Sequence, residues 1–278
     1  MPHYDHSHCV RAHVALQDLN PCFLLALFMF LTACSTIPQT FTPSEPIPAG
    51  DFSHRAFDEV LHAHVTDGVV DYPGIATDMR FCGYLAQLDR VDPNSLPTRE
   101  ERLAFWINTY NALAINGILD GLSPRTKFGQ YRYFIVKRHR VGGAMINLYD
   151  LEGKLLIPEF QETRIHFVIV CASMSCPKLQ SLAYTADKLD LQLEDGAREY
   201  INDPSRNRFD RERKIAYLSR IFKWFRDDFE ADAGSLLGYV KRYVADADLA
   251  RELELVPYRV EFLEYDWNLN GIPYAGPS

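Results

Sequence analysis

Thr98-Arg99-Glu100-Glu101-Arg102-Leu103-Ala104-Phe105-Trp106-Ile107-Asn108-Thr109-Tyr110-Asn111-Ala112 opens the stretch that decides the fold. Thr98 is placed to cap a helix, and Glu101, three residues on, to close a capping box. Each satisfies an amide that the first turn leaves without a carbonyl partner. The apolar run continues through Leu119 and stops at Asp120-Gly121. A surface helix shows one apolar stripe, whereas this one is apolar nearly all round, which predicts a buried central helix.

On the N-terminal side, Phe57, Val60, Leu61 and His64 recur at helical spacing until Asp67-Gly68, and Met79 to Val91 reads as a second helix. On the other side, Tyr131 to Arg140 leads into Val141-Gly142-Gly143, a hairpin turn before Ala144 to Leu148. Ile165-His166-Phe167-Val168-Ile169-Val170-Cys171 reads as a strand covered on both faces, because β-branched residues fill both alternating sides. A helix over 186–201 follows. Short strands are expected at 207–210 and 214–218, helices at 219–229, 233–245 and 248–253, and a last strand at 258–265. This order predicts an α+β fold, with a small, largely antiparallel sheet packed by helices around the central one.

The N-terminus reads as an export signal. Phe23 to Leu31 is an apolar run too short to span a bilayer, and it ends in Leu31-Thr32-Ala33-Cys34, the pattern of a lipoprotein acceptor cysteine. The basic n-region is thin, with Arg11 set against Asp5 and Asp18. The reading divides the chain into a signal peptide over 1–33, a Pro/Thr/Ser tether over 34–50 and one globular domain over 51–278. It places the protein on the periplasmic face of the outer membrane, anchored through Cys34. A net charge of −8 argues against a nucleic-acid or anionic-membrane surface. The basic cluster Arg132, Lys137, Arg138, His139 and Arg140 reads as a solvated hairpin. No cofactor or metal is called for.

Chemistry is expected around His166, Cys171 and Cys176. Pro177 suits the first position of a helix, which would put Cys176 at a helix N-terminus, where a thiolate is stabilised. His166 as general base would complete a Cys/His pair, with Asn108 or Asn111 as the orienting or oxyanion amide. The same residues admit other readings. Cys171 and Cys176 are close enough in sequence for a local disulfide, or for a redox pair. Asn108 and Asn111 share a buried face and both need hydrogen-bond partners. Asp150 and Glu152 would brace His166 or cap a short helix. Phe222, Trp224 and Phe225 would wall a groove or fill a core. Cys82 reads as a buried spare thiol.

Four blocks carry a resemblance: Phe105 to Ala112, Ile165 through Cys171 to Pro177, Leu218 to Phe225, and Tyr265-Asp266-Trp267-Asn268-Leu269-Asn270. In this order they resemble the family called domain of unknown function 547, over roughly residues 57–270. The resemblance implies one domain and an exported bacterial protein, draws attention to His166, Cys171 and Cys176, and implies no activity. A kinship with papain-like or transglutaminase-like enzymes is an analogy of ingredients, a cysteine near a helix start and a histidine on a strand. The residues together lead to an envelope lipoprotein acting as a cysteine-dependent hydrolase or acyl transferase on peptide-like bonds. The alternatives are a non-enzymatic binding protein for a peptide-like or small-molecule ligand, stapled by a Cys171–Cys176 disulfide, and a thiol–disulfide exchange protein.

Overall fold

In the computed structural model of the chain, which describes residues 40–275, the capping box closes as read. Thr98 Oγ1 accepts from the Glu101 N–H at 3.1 Å, and Glu101 Oε2 accepts from the Thr98 N–H at 2.9 Å. The central helix, Arg99–Leu119, is 21 residues long and is buried from Leu103 to Ile118 except at Asn116. Gly121, at φ +77°, takes the left-handed conformation that ends it. No helix among the described residues is long and apolar enough to cross a membrane. The signal peptide, Cys34 and the first part of the tether lie outside the described residues.

Helices Arg55–His64 and Met79–Arg90 pack on each other, with the Phe57 and Tyr84 rings stacked at 4.9 Å, and their Phe57, Leu61, Phe81 and Tyr84 share one core with the central helix. A second core gathers Phe167, Tyr200, Phe222, Phe229 and Tyr239, drawing on helices Leu189–Asn202 and Arg226–Ala233. Among the described residues the strands form three small sheets rather than one. β1 (Val65–Thr66) pairs antiparallel with β2 (Val69–Asp71), β3 (His139–Val141) with β4 (Ala144–Ile146), and β5 (Arg208–Asp210) with β6 (Ile215–Leu218). β7 (Arg259–Phe262) runs parallel to β6, and β8 (Gly271–Ile272) parallel to β2. The fold is α+β, antiparallel-rich and mainly helical.

Three expectations need correction. The strand expected at 165–171 does not form: Thr163–Phe167 is a 3-10 helix, and Val168 to Val170 is buried chain with no neighbouring strand. Asn111 takes the neighbour's place, its Nδ2 donating to the Val168 carbonyl at 3.0 Å and its Oδ1 accepting from the Val170 N–H at 2.8 Å. No helix begins at Pro177, so Cys176 has no helix N-terminus beside it. The tether is not wholly free. The Phe41 ring lies 5.4 Å from Trp106, and the Ile47 N–H donates to the Arg90 carbonyl at 2.8 Å.

Two histidines couple this core to pH. Burial lowers His54, which bonds the Tyr84 hydroxyl at 2.7 Å, to about 3. Burial and the Lys137 charge lower His139 to about 3 as well. Both stay neutral in the fold and charge in the unfolded chain, whose histidines titrate near 6.5. Above that pH they contribute nothing to the pH slope. As pH falls from about 6.5 toward 3 the unfolded chain takes up protons first, and stability is lost at about 1.4 kcal/mol per pH unit per histidine. Urea midpoints between pH 7 and about 4.5 should fall steeply in the wild type and less in His139→Gln.

Candidate functional site

Three of the four sequence blocks converge on the loop 171–176, and the central helix braces the chain leading into it through Asn111. The Cys171 and Cys176 sulfurs lie at disulfide distance, with Cα atoms 6.2 Å apart. Between them Ala172 sits at φ +59°, a left-handed conformation that costs a non-glycine residue about 1 kcal/mol or more and that the surroundings must hold. They do so from the C-terminal segment: the Met174 N–H donates to the Asn268 carbonyl at 2.8 Å, and the Ser175 N–H to the Asp266 carbonyl at 3.1 Å. From the other side Arg206 donates to the carbonyls of Cys176, at 2.6 Å, and Met174, at 2.9 Å. Tyr200 donates to the Ser175 carbonyl at 3.1 Å.

The two sulfurs have different surroundings. Cys176 is buried, and its Sγ accepts from the Cys171 N–H at 3.0 Å and from the Ser173 hydroxyl at 3.4 Å, with the Tyr265 hydroxyl 3.2 Å away. Cys171 is half-buried at the rim, with the Ser173 and Tyr265 hydroxyls at 3.2 and 3.3 Å. Burial holds the Tyr265 phenol above its ordinary range, so it stays protonated and remains a donor at neutral pH. Tyr265 also stands in an aromatic wall, 4.7 Å from Trp224 and 4.6 Å from Trp267, and Trp224 is 45% exposed. The groove-or-core question for Phe222, Trp224 and Phe225 therefore has a divided answer. Phe222 is core, Trp224 is wall, and Phe225 stacks on His166 at 4.0 Å.

His166 is buried on the 3-10 helix, and its Nε2 lies 2.9 Å from Asp228 Oδ2. Its Nδ1 is enclosed without a partner among the described residues. No hydrogen bond joins the ring to either sulfur among the described residues, so the structure does not assemble the expected Cys176/His166 pair. Glu152 comes nearest to the bracing role expected of it. Burial raises its carboxyl, and both the His166 ring and a 3.1 Å bond from the Tyr110 hydroxyl pull the other way. Asp150 instead pairs with Lys154 at 2.8 Å.

Neither asparagine offers a spare amide. Asn108 Nδ2 donates to the Tyr184 carbonyl at 2.7 Å and its Oδ1 accepts from the Tyr184 N–H at 2.9 Å, the same two-armed clamp that Asn111 makes on Val168 and Val170. Both serve as fasteners of buried backbone, the bracing alternative for this pair of amides. Cys82 is half-buried on the helix Met79–Arg90. Sequence reasoning missed Asp228, Tyr265, Ser173 and Arg206. Tyr265 was visible in the fourth block, though without a role, and nothing in the local sequence marks Asp228 or Arg206.

Fold and loop together define an α+β domain that presents a clamped cysteine pair, its sulfurs at disulfide distance, beside an aromatic wall. Residues 93–201 match the family model described as "Protein of unknown function, DUF547", which supports that family and spans Asn108, Asn111, His166, Cys171 and Cys176. No curated protein and no solved structure matches the chain.

Proposed function

We propose that this chain is a lipid-anchored envelope protein, facing the periplasm, that carries out thiol–disulfide exchange through Cys171 and Cys176 on cysteine-bearing polypeptides lodged against the Trp224–Tyr265–Trp267 wall. The observation that carries the reading is the asymmetry of the two sulfurs. A disulfide sulfur is a weak acceptor and needs few donors, whereas a thiolate is stabilised by each one. Cys176 Sγ is buried and alone accepts from the Cys171 N–H, the Ser173 and Tyr265 hydroxyls stand within reach of both sulfurs, and Cys171 Sγ has the open side.

The chemistry follows from that arrangement. A thiolate of a client dithiol attacks Cys171 Sγ. The Cys171–Cys176 bond breaks, its electron pair goes to Cys176 Sγ, and a client–Cys171 disulfide forms. The donors around Cys176 receive the new thiolate and make it the better leaving group. The client's second thiolate then attacks the mixed disulfide and releases Cys171, so two electrons pass from the client dithiol to the pair. Run in reverse, the reduced pair reduces a client disulfide. The hydrolase reading draws less support, since among the described residues no hydrogen bond joins a base to either sulfur and both asparagine amides clamp backbone.

Tyr265→Phe tests the reading, because it removes one donor to the emerging thiolate while keeping the ring. In equilibrium with a dithiothreitol redox buffer, the folded variant should shift toward the disulfide by roughly tenfold or more, the worth of a hydrogen bond to a charged group. Cys34→Ser should leave this equilibrium unchanged and abolish acylation, read by intact mass. An unshifted equilibrium in Tyr265→Phe, or a wild-type pair that reduces only after unfolding, would contradict the proposal and leave the disulfide as a staple.

A further inference from the structure

From Gly121 to Tyr149 the chain holds six lysines and arginines and no aspartate or glutamate, inside a protein of net charge −8. Lys137 pairs with Asp120 at 2.6 Å and Arg140 with Asp89 at 2.9 Å. Arg125, Lys127, Arg132 and Arg138 make no ion pair among the described residues, and all four are exposed. Among them the short helix Lys127–Gln130 and the π-helical turn Tyr131–Val136 turn large apolar side chains outward: Phe128 is 71% exposed, Tyr131 54%, Val136 53% and Ile135 38%. The Arg132 guanidinium sits over the Phe128 ring, 6.0 Å from its centroid. Tyr133, on the opposite side of the same turn, is fully buried and donates to the Ala114 carbonyl at 2.7 Å, which fixes the orientation of the segment.

Exposed apolar residues scattered singly need no explanation, but four within nine positions, interleaved with unpaired cations, form a patch. The patch is a ridge on a helical segment, not a groove. An aromatic and aliphatic ridge flanked by Lys and Arg is the composition that lies in a bilayer interface, with rings at the headgroup level and cations on anionic phosphates. We infer that the face formed by Phe128, Tyr131, Ile135 and Val136, with Lys127 and Arg132, rests on an anionic phospholipid surface. The acidic remainder of the chain is repelled by the same surface, so the contact sets an orientation as well as an attachment. It does not depend on an acyl chain at Cys34. The net charge alone pointed away from such a surface because it averages over this local concentration.

Co-flotation of the full chain carrying Cys34→Ser, which cannot be acylated, tests this. The vesicles are phosphatidylcholine, with or without about a third phosphatidylglycerol. Binding should favour the anionic vesicles by at least about tenfold and weaken with added salt. Both Phe128→Ser with Arg132→Glu, and Lys127→Glu alone, alter exposed side chains and should leave urea midpoints unchanged. The double variant should lose roughly tenfold in binding, Lys127→Glu several-fold. Amide exchange over 127–136 should slow on anionic vesicles only. Equal binding to both vesicle types, binding indifferent to these substitutions, or retention by an acidic polypeptide but not by vesicles would overturn the inference.

Discussion

Asn111→Ala is expected to lower the stability of the fold by about 3 kcal/mol, because it strands two buried backbone groups at once. The Val168 carbonyl and the Val170 N–H sit in chain that is 1–3% exposed, and each has the Asn111 amide as its partner. A buried group left unsatisfied costs about 1–3 kcal/mol, and the truncation adds a small cavity. Asn111→Asp should recover part of the loss, since a carboxylate still accepts from the Val170 N–H but faces the Val168 carbonyl oxygen without a donor. Asn116→Ala, which removes a half-buried bond to Asp120 of 3.3 Å on the same helix, should cost under about 1 kcal/mol. Urea unfolding with an unchanged m-value reads all three. A loss below about 1 kcal/mol in Asn111→Ala would return Asn111 to the list of residues free to act chemically.

The same residue shows where sequence reading succeeds and where it stops. The central helix was legible because its signals are local: a capping box at Thr98 and Glu101, an apolar surface all round, and Asp120-Gly121 at its end. The Gly142-Gly143 hairpin was legible for the same reason, both residues taking positive φ between β3 and β4. The run 165–171 carries every mark of a strand, and its burial was read correctly. Yet its hydrogen bonds go to the side chain of Asn111, some 57 residues away, and a period of two cannot reveal that. The expected helix over 219–229 breaks at Phe225, where the chain turns, stacks that ring on His166 and starts a second helix carrying Asp228 to the His166 Nε2.

Of the candidate site, the cysteines and the histidine were found by residue type, but their grouping was not. His166 belongs with Asp228, 62 positions on, and the cysteines belong with Tyr265, 89 or more positions on. Ala172 at positive φ has no sequence signal either, since alanine seldom takes that conformation. The tertiary clamps from Asn268, Asp266 and Arg206 impose it.

Trapping a mixed disulfide tests the exchange account most directly. In Cys176→Ala the rim sulfur Cys171 remains, ringed by Ser173 and Tyr265, while the thiol that would resolve a mixed disulfide is gone. Incubated with glutathione disulfide under native conditions, its thiolate should displace one glutathione thiolate and keep the other half, so that nearly every chain carries one glutathione by intact mass. Cys171→Ala, whose remaining sulfur is buried beneath Tyr265, should carry almost none until unfolded. The wild type should carry none at steady state, because Cys176 expels the adduct and closes the pair. Circular dichroism before and after incubation confirms that each variant is folded. Equal labelling of the two variants, or labelling of Cys171 only in denaturant, would contradict the assignment of Cys171 as the exchanging sulfur and Cys176 as the resolving one.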